Sequence, residues 1–85
     1  MYEVLIEHTA EKDLSALSLQ TAQRIAKVIL RLKNNPRRNA RKITGSKNDW
    51  RFRMGDYRVI YEIDDKKKVI RIFRVKHRKD AYRNL

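Results

Sequence analysis

The 85-residue chain has no cysteine, which excludes disulfides, thiolate metal sites and thiol redox chemistry and fits a reducing compartment. It has no apolar run near the roughly 20 residues that cross a bilayer, so the sequence offers no membrane-spanning helix. The opening residues 1–13 lack the basic segment that begins a signal peptide. A cytoplasmic protein with no membrane partner is expected. Acidic residues are scarce too: ten Asp and Glu stand against 22 Lys and Arg, a net charge of +12. That excess costs self-repulsion in the compact state and attracts a polyanion, with nucleic acid the first candidate.

The length suits one domain over residues 1–85, with a modest core and no room for separate catalytic and binding modules. At 41% hydrophobic and 38% charged, the chain can fold while carrying more charge than solubility needs. The charge is uneven. Residues 1–35 hold five basic and four acidic residues, whereas residues 36–85 hold 17 and six, a net of +11. The functional surface is therefore expected in the second part.

Tyr2, Val4 and Ile6 alternate with Glu3, Leu5 and Glu7, the two-residue period of a half-buried strand. A short helix follows from Thr9, read as its N-cap, to Leu17, with Leu14 and Leu17 on one face. Ser18 caps a second helix whose Ala22, Ile25, Val28, Ile29 and Leu32 form an apolar stripe ending at Asn34-Asn35-Pro36. The stripe reads as core. The opposite row, Arg24, Lys27 and Arg31, reads as a solvated face rather than a membrane surface, because most of the charge lies further along the chain.

In Trp50-Arg51-Phe52-Arg53-Met54 bulky apolar residues alternate strictly with arginine, so a strand here has one core face and one guanidinium face. Gly55-Asp56 and the β-forming run Tyr57-Arg58-Val59-Ile60-Tyr61-Glu62-Ile63 complete a hairpin. A two-residue type II′ turn with Gly55 first pairs Met54 with Tyr57, Arg53 with Arg58, Phe52 with Val59 and Trp50 with Tyr61. Like charges opposed across strands destabilise a hairpin. A sequence that accepts this implies an anion to neutralise it, and guanidinium forks suit phosphate oxygens. The bland alternative is a solvated basic face relieved by salt or by Asp49 and Glu62.

A further strand spans Val69 to Val75, with its inward face ambiguous, and a polar tail from Lys76 to Arg83 is long enough for a turn of helix. His77 is either a proton donor near the arginines or the residue that closes the strand. His8 is structural. Arg37, Arg38, Arg41 and Lys42 form either an RNA-docking strip or a solvated loop. Trp50, Phe52 and Tyr61 could stack on bases, but the register puts them under the sheet.

The segment WRFRMGDYRVIY (50–61), the β-rich run after it and HRKDAYR (77–83) resemble the signature of the RelE/ParE toxin superfamily across nearly the whole chain. The resemblance implies an α+β fold: an N-terminal strand, a two-helix hairpin, then a twisted antiparallel sheet with the helices on one face and a short C-terminal helix. Basic residues flanking the apolar residue before the turn match Arg51 and Arg53. An arginine after the turn's tyrosine matches Arg58, one after the last strand matches Arg78, and a tyrosine beyond it matches Tyr82. These five positions favour the branch that cleaves messenger RNA in the ribosomal decoding site over the branch that acts on DNA gyrase. Lys76 departs from the glycine of many relatives.

The resemblance further implies a metal-independent endoribonuclease without a cofactor, in which the 2′-hydroxyl attacks the adjacent phosphate. Arg51, Arg53, Arg58, Arg78 and Tyr82, with His77, would form the catalytic set, and Lys76, Lys79 and Arg83 would add RNA or ribosomal RNA contacts. The implied partners are mRNA, the ribosome and a RelB-like antitoxin, acidic or amphipathic. A non-catalytic nucleic-acid-binding module using the same patch is the remaining alternative.

Overall fold

A computed structural model describes residues 1–77. The chain runs β1 (Glu3–Ile6), α1 (His8–Ser15), α2 (Leu19–Arg31), β2 (Ala40–Lys42), β3 (Asp49–Met54), β4 (Tyr57–Asp64) and β5 (Val69–His77). The five strands form one sheet in the order β1-β5-β4-β3-β2. The sheet is mixed rather than antiparallel, because β1 runs parallel to β5 while the other neighbours are antiparallel. β1 is an edge strand whose one neighbour is β5, and the two helices with β2, β3 and β4 lie between them in the chain, a connection long enough for the crossover that parallel pairing requires.

Ser18 caps α2 as its sequence suggests, its side chain accepting a hydrogen bond from the Thr21 backbone N–H. Ile25, Ile29 and Leu32 are buried against Val59, Tyr61, Ile63, Ile70, Ile72 and Val75. Each large apolar side chain so buried contributes roughly 2 kcal/mol. The helices thus cover one face of the sheet. Val28, from the same stripe, is only half-buried.

Helix α1 has its cap two residues earlier than Thr9. Its N-cap is Glu7, without a side-chain capping bond, because the Thr9 hydroxyl instead donates to the Phe73 carbonyl at 2.7 Å. Four residues on, Asp13 accepts from the Val75 backbone N–H at 2.9 Å and from the Arg74 guanidinium. β1 pairs with β5 only as far as Ile72, so these two helix side chains bond the stretch of β5 beyond it. Ile6, expected on the buried face, is 43% exposed, since β1 ends there and the chain turns into α1.

The ambiguous inward face of β5 is explained by an irregularity. Opposite Ile60 and Tyr61 the register skips from Arg74 to Ile72, leaving Phe73 as the extra residue of a bulge. Ile70, Ile72 and Val75 therefore all point into the core at spacings of two and then three. The expected C-terminal helix, with Arg78, Lys79, Tyr82 and Arg83, lies outside the described residues.

Candidate nucleic-acid interface

The β3–β4 hairpin forms in the register its sequence specifies: Met54 with Tyr57, Arg53 with Arg58, Phe52 with Val59 and Trp50 with Tyr61. Gly55 takes a positive φ of 58° and Asp56 does not, the φ pattern of a type II′ turn. Trp50, Phe52, Met54 and Tyr57 pack against the core, while Arg51 and Arg53 are exposed on the face that the two helices leave open. Of the aromatic residues weighed as base-stacking platforms, Trp50 and Phe52 pack half-buried against the core on the face away from the arginines, and Tyr61 is fully buried, donating its hydroxyl to the Pro36 carbonyl at 2.6 Å. Burial raises the Tyr61 hydroxyl pKa to about 12.

Two neighbouring strands enlarge the cationic face. Lys76 on β5 pairs with Arg58, so Arg53, Arg58 and Lys76 form one row across three strands spaced about 4.8 Å apart. Arg41 on β2 pairs with Arg51. Arg41, Arg51, Arg53 and Arg58, together with Asn39, line a cleft of about 240 Å³. Among the described residues the ion pairs lie elsewhere: Arg37 with Asp65, Arg71 with Glu7 and Arg74 with Asp13. Within the cleft, the Arg53 Nε donates to the Gly55 carbonyl at 3.3 Å. Asp49 and Glu62, which could have relieved the repulsion, oppose one another instead, four residues or about 13 Å along the strands from Arg53 and Arg58.

The structure divides the residues expected to form one docking strip. Arg41 joins the arginine cleft. Lys42 pairs with Trp50 and so falls on the opposite face of the strand. Arg38 lines a separate cleft at the end of α2. Arg37 makes a bidentate pair with Asp65, at 2.7 and 3.2 Å, and its guanidinium sits 5.3 Å from the centre of the Trp50 ring. Asp65 also accepts from the Tyr2 hydroxyl. The hydrogen bond from Asp65 raises the Arg37 pKa, and the same bond holds the Asp65 carboxyl below its ordinary range. Arg37 thus ties the α2–β2 loop to the β4–β5 turn.

His77 closes strand β5, the plainer of the two readings its sequence allowed. It pairs with Tyr57 and meets that ring edge-on at 5.0 Å, on the helix-covered face. Its neighbour Lys76, not His77, shares the arginine face. Asn39 carried no signal of function in the sequence beyond a residue type that tolerates the left-handed backbone, and its φ is 58°. It enters the cleft because β2, only three residues long, closes the sheet edge beside it.

Four guanidinium groups around one space can bind a phosphate and stabilise added negative charge on it. None of the four passes a proton readily near neutral pH. Among the described residues no three carboxylate or imidazole groups come together as metal ligands.

A family model described as the ParE toxin of type II toxin-antitoxin systems, parDE, matches residues 4–82. Among solved structures, a chain of the RelBE2 toxin–antitoxin complex from Mycobacterium tuberculosis superposes with a TM-score of 0.83 at 29% identity, covering 91% of this chain and 98% of its own. A chain of the archaeal RelE–RelB complex from Pyrococcus horikoshii OT3 does so at 0.76 and 34% identity, covering 91% and 94%. The isolated E. coli RelE toxin matches over the full length of both chains at 0.78 and 20% identity, a likeness that bears on the fold alone. No curated protein sequence matches the chain.

Proposed function

We propose that this chain, which belongs to the RelE/ParE superfamily of toxins from type II toxin–antitoxin systems, is a ribosome-dependent endoribonuclease that cleaves mRNA in the decoding site. The observation that carries the reading is the cleft lined by Arg41, Arg51, Arg53 and Arg58. Opposed cations with no acidic partner among the described residues suit a phosphate that gains charge during the reaction.

In the proposed step the 2′-oxygen attacks the adjacent phosphorus, the P–O5′ bond breaks, and a 2′,3′-cyclic phosphate and a 5′-hydroxyl result. One proton leaves the 2′-hydroxyl and one reaches O5′. Arg53 and Arg58 hold the phosphate oxygens, and Arg51 supports them from the adjacent position. Arg78 serves the leaving group and Tyr82 stacks on a base or bonds near the 2′-hydroxyl. His77 has a weaker claim to proton transfer, since its ring meets Tyr57 on the other face of the sheet. With poor proton-transfer groups in the cleft, much of the rate must come from holding the RNA in line, which the ribosome would supply. Lys76, Lys79 and Arg83 add contacts to the RNA.

Relatives from M. tuberculosis and P. horikoshii were crystallised with a RelB partner. We assign this chain a cognate antitoxin of the same kind, acidic or amphipathic, that covers the basic face.

A second reading, a non-nuclease toxin acting on DNA gyrase, draws on the match to a ParE model. Primer extension on mRNA after induction in growing cells separates the two. Cuts within translated codons, lost with Arg58→Ala, are expected; growth arrest with intact transcripts would overturn the nuclease reading and favour the second.

A further inference from the structure

Strand β3 presents arginine to one side of the sheet and Phe52 to the other. On the Phe52 side, at the end of α2, lies a second cleft of about 360 Å³, within the range of small-molecule sites. Its floor is apolar, made by Val28, Leu32 and the half-buried Phe52 ring; its rim carries Asn34, Asn39 and Arg38. Among the described residues no acidic side chain lines it. Asn39 lines this cleft and the arginine cleft as well, and the two spaces lie on opposite faces of β3, beside the three-residue edge strand β2.

We propose that the cleft at the end of α2 takes a nucleobase of the same RNA strand whose phosphate sits among the arginines. The proposal rests on the phosphate reading of the arginine cleft. The chemistry suits an unstacked base: a flat apolar ring against Phe52 and Val28, with side-chain amides that both donate and accept at the rim to meet its polar edge. Arg38 supplies positive charge for the flanking phosphate. Asn39 is common to both clefts, which places this one on the path of a strand whose phosphate sits among the arginines; an acidic apolar peptide in its place is an outcome of the test below. An RNA strand crossing the sheet edge would set a phosphate on one side and a base on the other. The cleft would then contribute to sequence preference.

The test uses the full chain and a fluorescent six-nucleotide RNA made uncleavable by 2′-O-methylation, compared with the same backbone lacking bases. The intact strand is expected to bind about ten-fold more tightly, the gain of one stacked base. In a Tyr82→Ala background, which removes the other aromatic proposed to stack, Val28→Phe fills the cleft and should abolish this preference while leaving affinity for the baseless strand unchanged; Asn34→Ala should reduce it. Unchanged melting temperatures would show that both variants fold. Arg58→Ala should weaken both strands alike. Equal binding of the two strands by the unaltered protein, or a preference undiminished by Val28→Phe in the Tyr82→Ala background, would overturn the base site alone. Indifference of both strands to Arg58→Ala would instead overturn the phosphate reading beneath it. NMR shifts at Val28 and Asn34 caused by an acidic Glu-Leu peptide but not by RNA would assign the cleft to a protein partner and overturn the proposal.

Discussion

Arg53 and Arg58 face each other directly across the β3–β4 hairpin, and the adjoining strand sets Lys76 beside Arg58. A directly opposed like-charge pair costs a sheet some tenths of a kcal/mol. Arg53→Gln should therefore raise stability by about 0.2–1 kcal/mol at low salt while impairing RNA binding. The gain should shrink as the screening length falls from about 30 Å at 0.01 M salt to about 3 Å at 1 M. Urea unfolding at the two salt concentrations measures this. A loss of stability at low salt would mean that the bond from Arg53 to the Gly55 carbonyl outweighs the repulsion.

The Arg37–Asp65 pair has a distinct pH signature. The bond to Arg37, reinforced by the Tyr2 hydroxyl, lowers the Asp65 pKa below its ordinary value of 3.8. A carboxyl with a lowered folded pKa stabilises the fold above its unfolded pKa, and that contribution disappears as pH falls through the folded value. Asp65→Asn should lower the melting temperature slightly at pH 7, and the difference should narrow as pH falls below 3.8. Both groups are well exposed, so the effect at pH 7 should be small. Trp50 fluorescence should change with it, since Arg37 then loses the partner that holds it over that ring.

Tyr61 titrates at the opposite end of the scale. Its hydroxyl is buried and bonded to the Pro36 carbonyl, and its pKa is raised from 10.0 to about 12. The neutral form is favoured in the fold, so the stability it brings is complete below pH 10 and is lost as pH rises through 12. Two units correspond to roughly 2–3 kcal/mol. Tyr61→Phe should cost about 1 kcal/mol at pH 7, through the Pro36 carbonyl left without its donor. Its stability should then fall less steeply than that of the unaltered protein between pH 10 and 12. Parallel alkaline profiles by circular dichroism would contradict this.

Where the chain repeats a period without interruption, the sequence was legible. The Trp50–Met54 alternation with Gly55 fixed every pair of the hairpin, and the Ile25-Ile29-Leu32 stripe fixed the buried face of α2. Three features were not. The Phe73 bulge breaks the period of β5, so no single alternation could name its inward face. β2 is too short to carry a pattern of its own and forms only because β3 offers it an edge, which hid the membership of Arg41 and Asn39 in the cleft. The direction of β1 depends on long-range pairing with β5, which local propensity does not encode. Arg37 shows the same limit in another form: a basic residue in a basic run reads as an RNA contact, yet an aspartate 28 positions away occupies it.

Lys76 and His77 are neighbours in sequence with opposite expected consequences. Strand alternation sends Lys76 to the open face beside Arg58 and His77 to the ring of Tyr57. If phosphate binding resides on the open face, Lys76→Ala should weaken binding to single-stranded RNA. It should also reduce the slope of log affinity against log salt by about 0.7, the release expected from one lost phosphate contact on a single strand. His77→Phe preserves an aromatic edge against Tyr57 and should leave both the slope and mRNA cleavage nearly unchanged. A loss of cleavage with His77→Phe at unaltered RNA affinity would return the histidine to the proton-transfer step and require its ring to reach the open face during the reaction. Fluorescence anisotropy across a salt series, paired with primer extension for each variant, distinguishes the two outcomes.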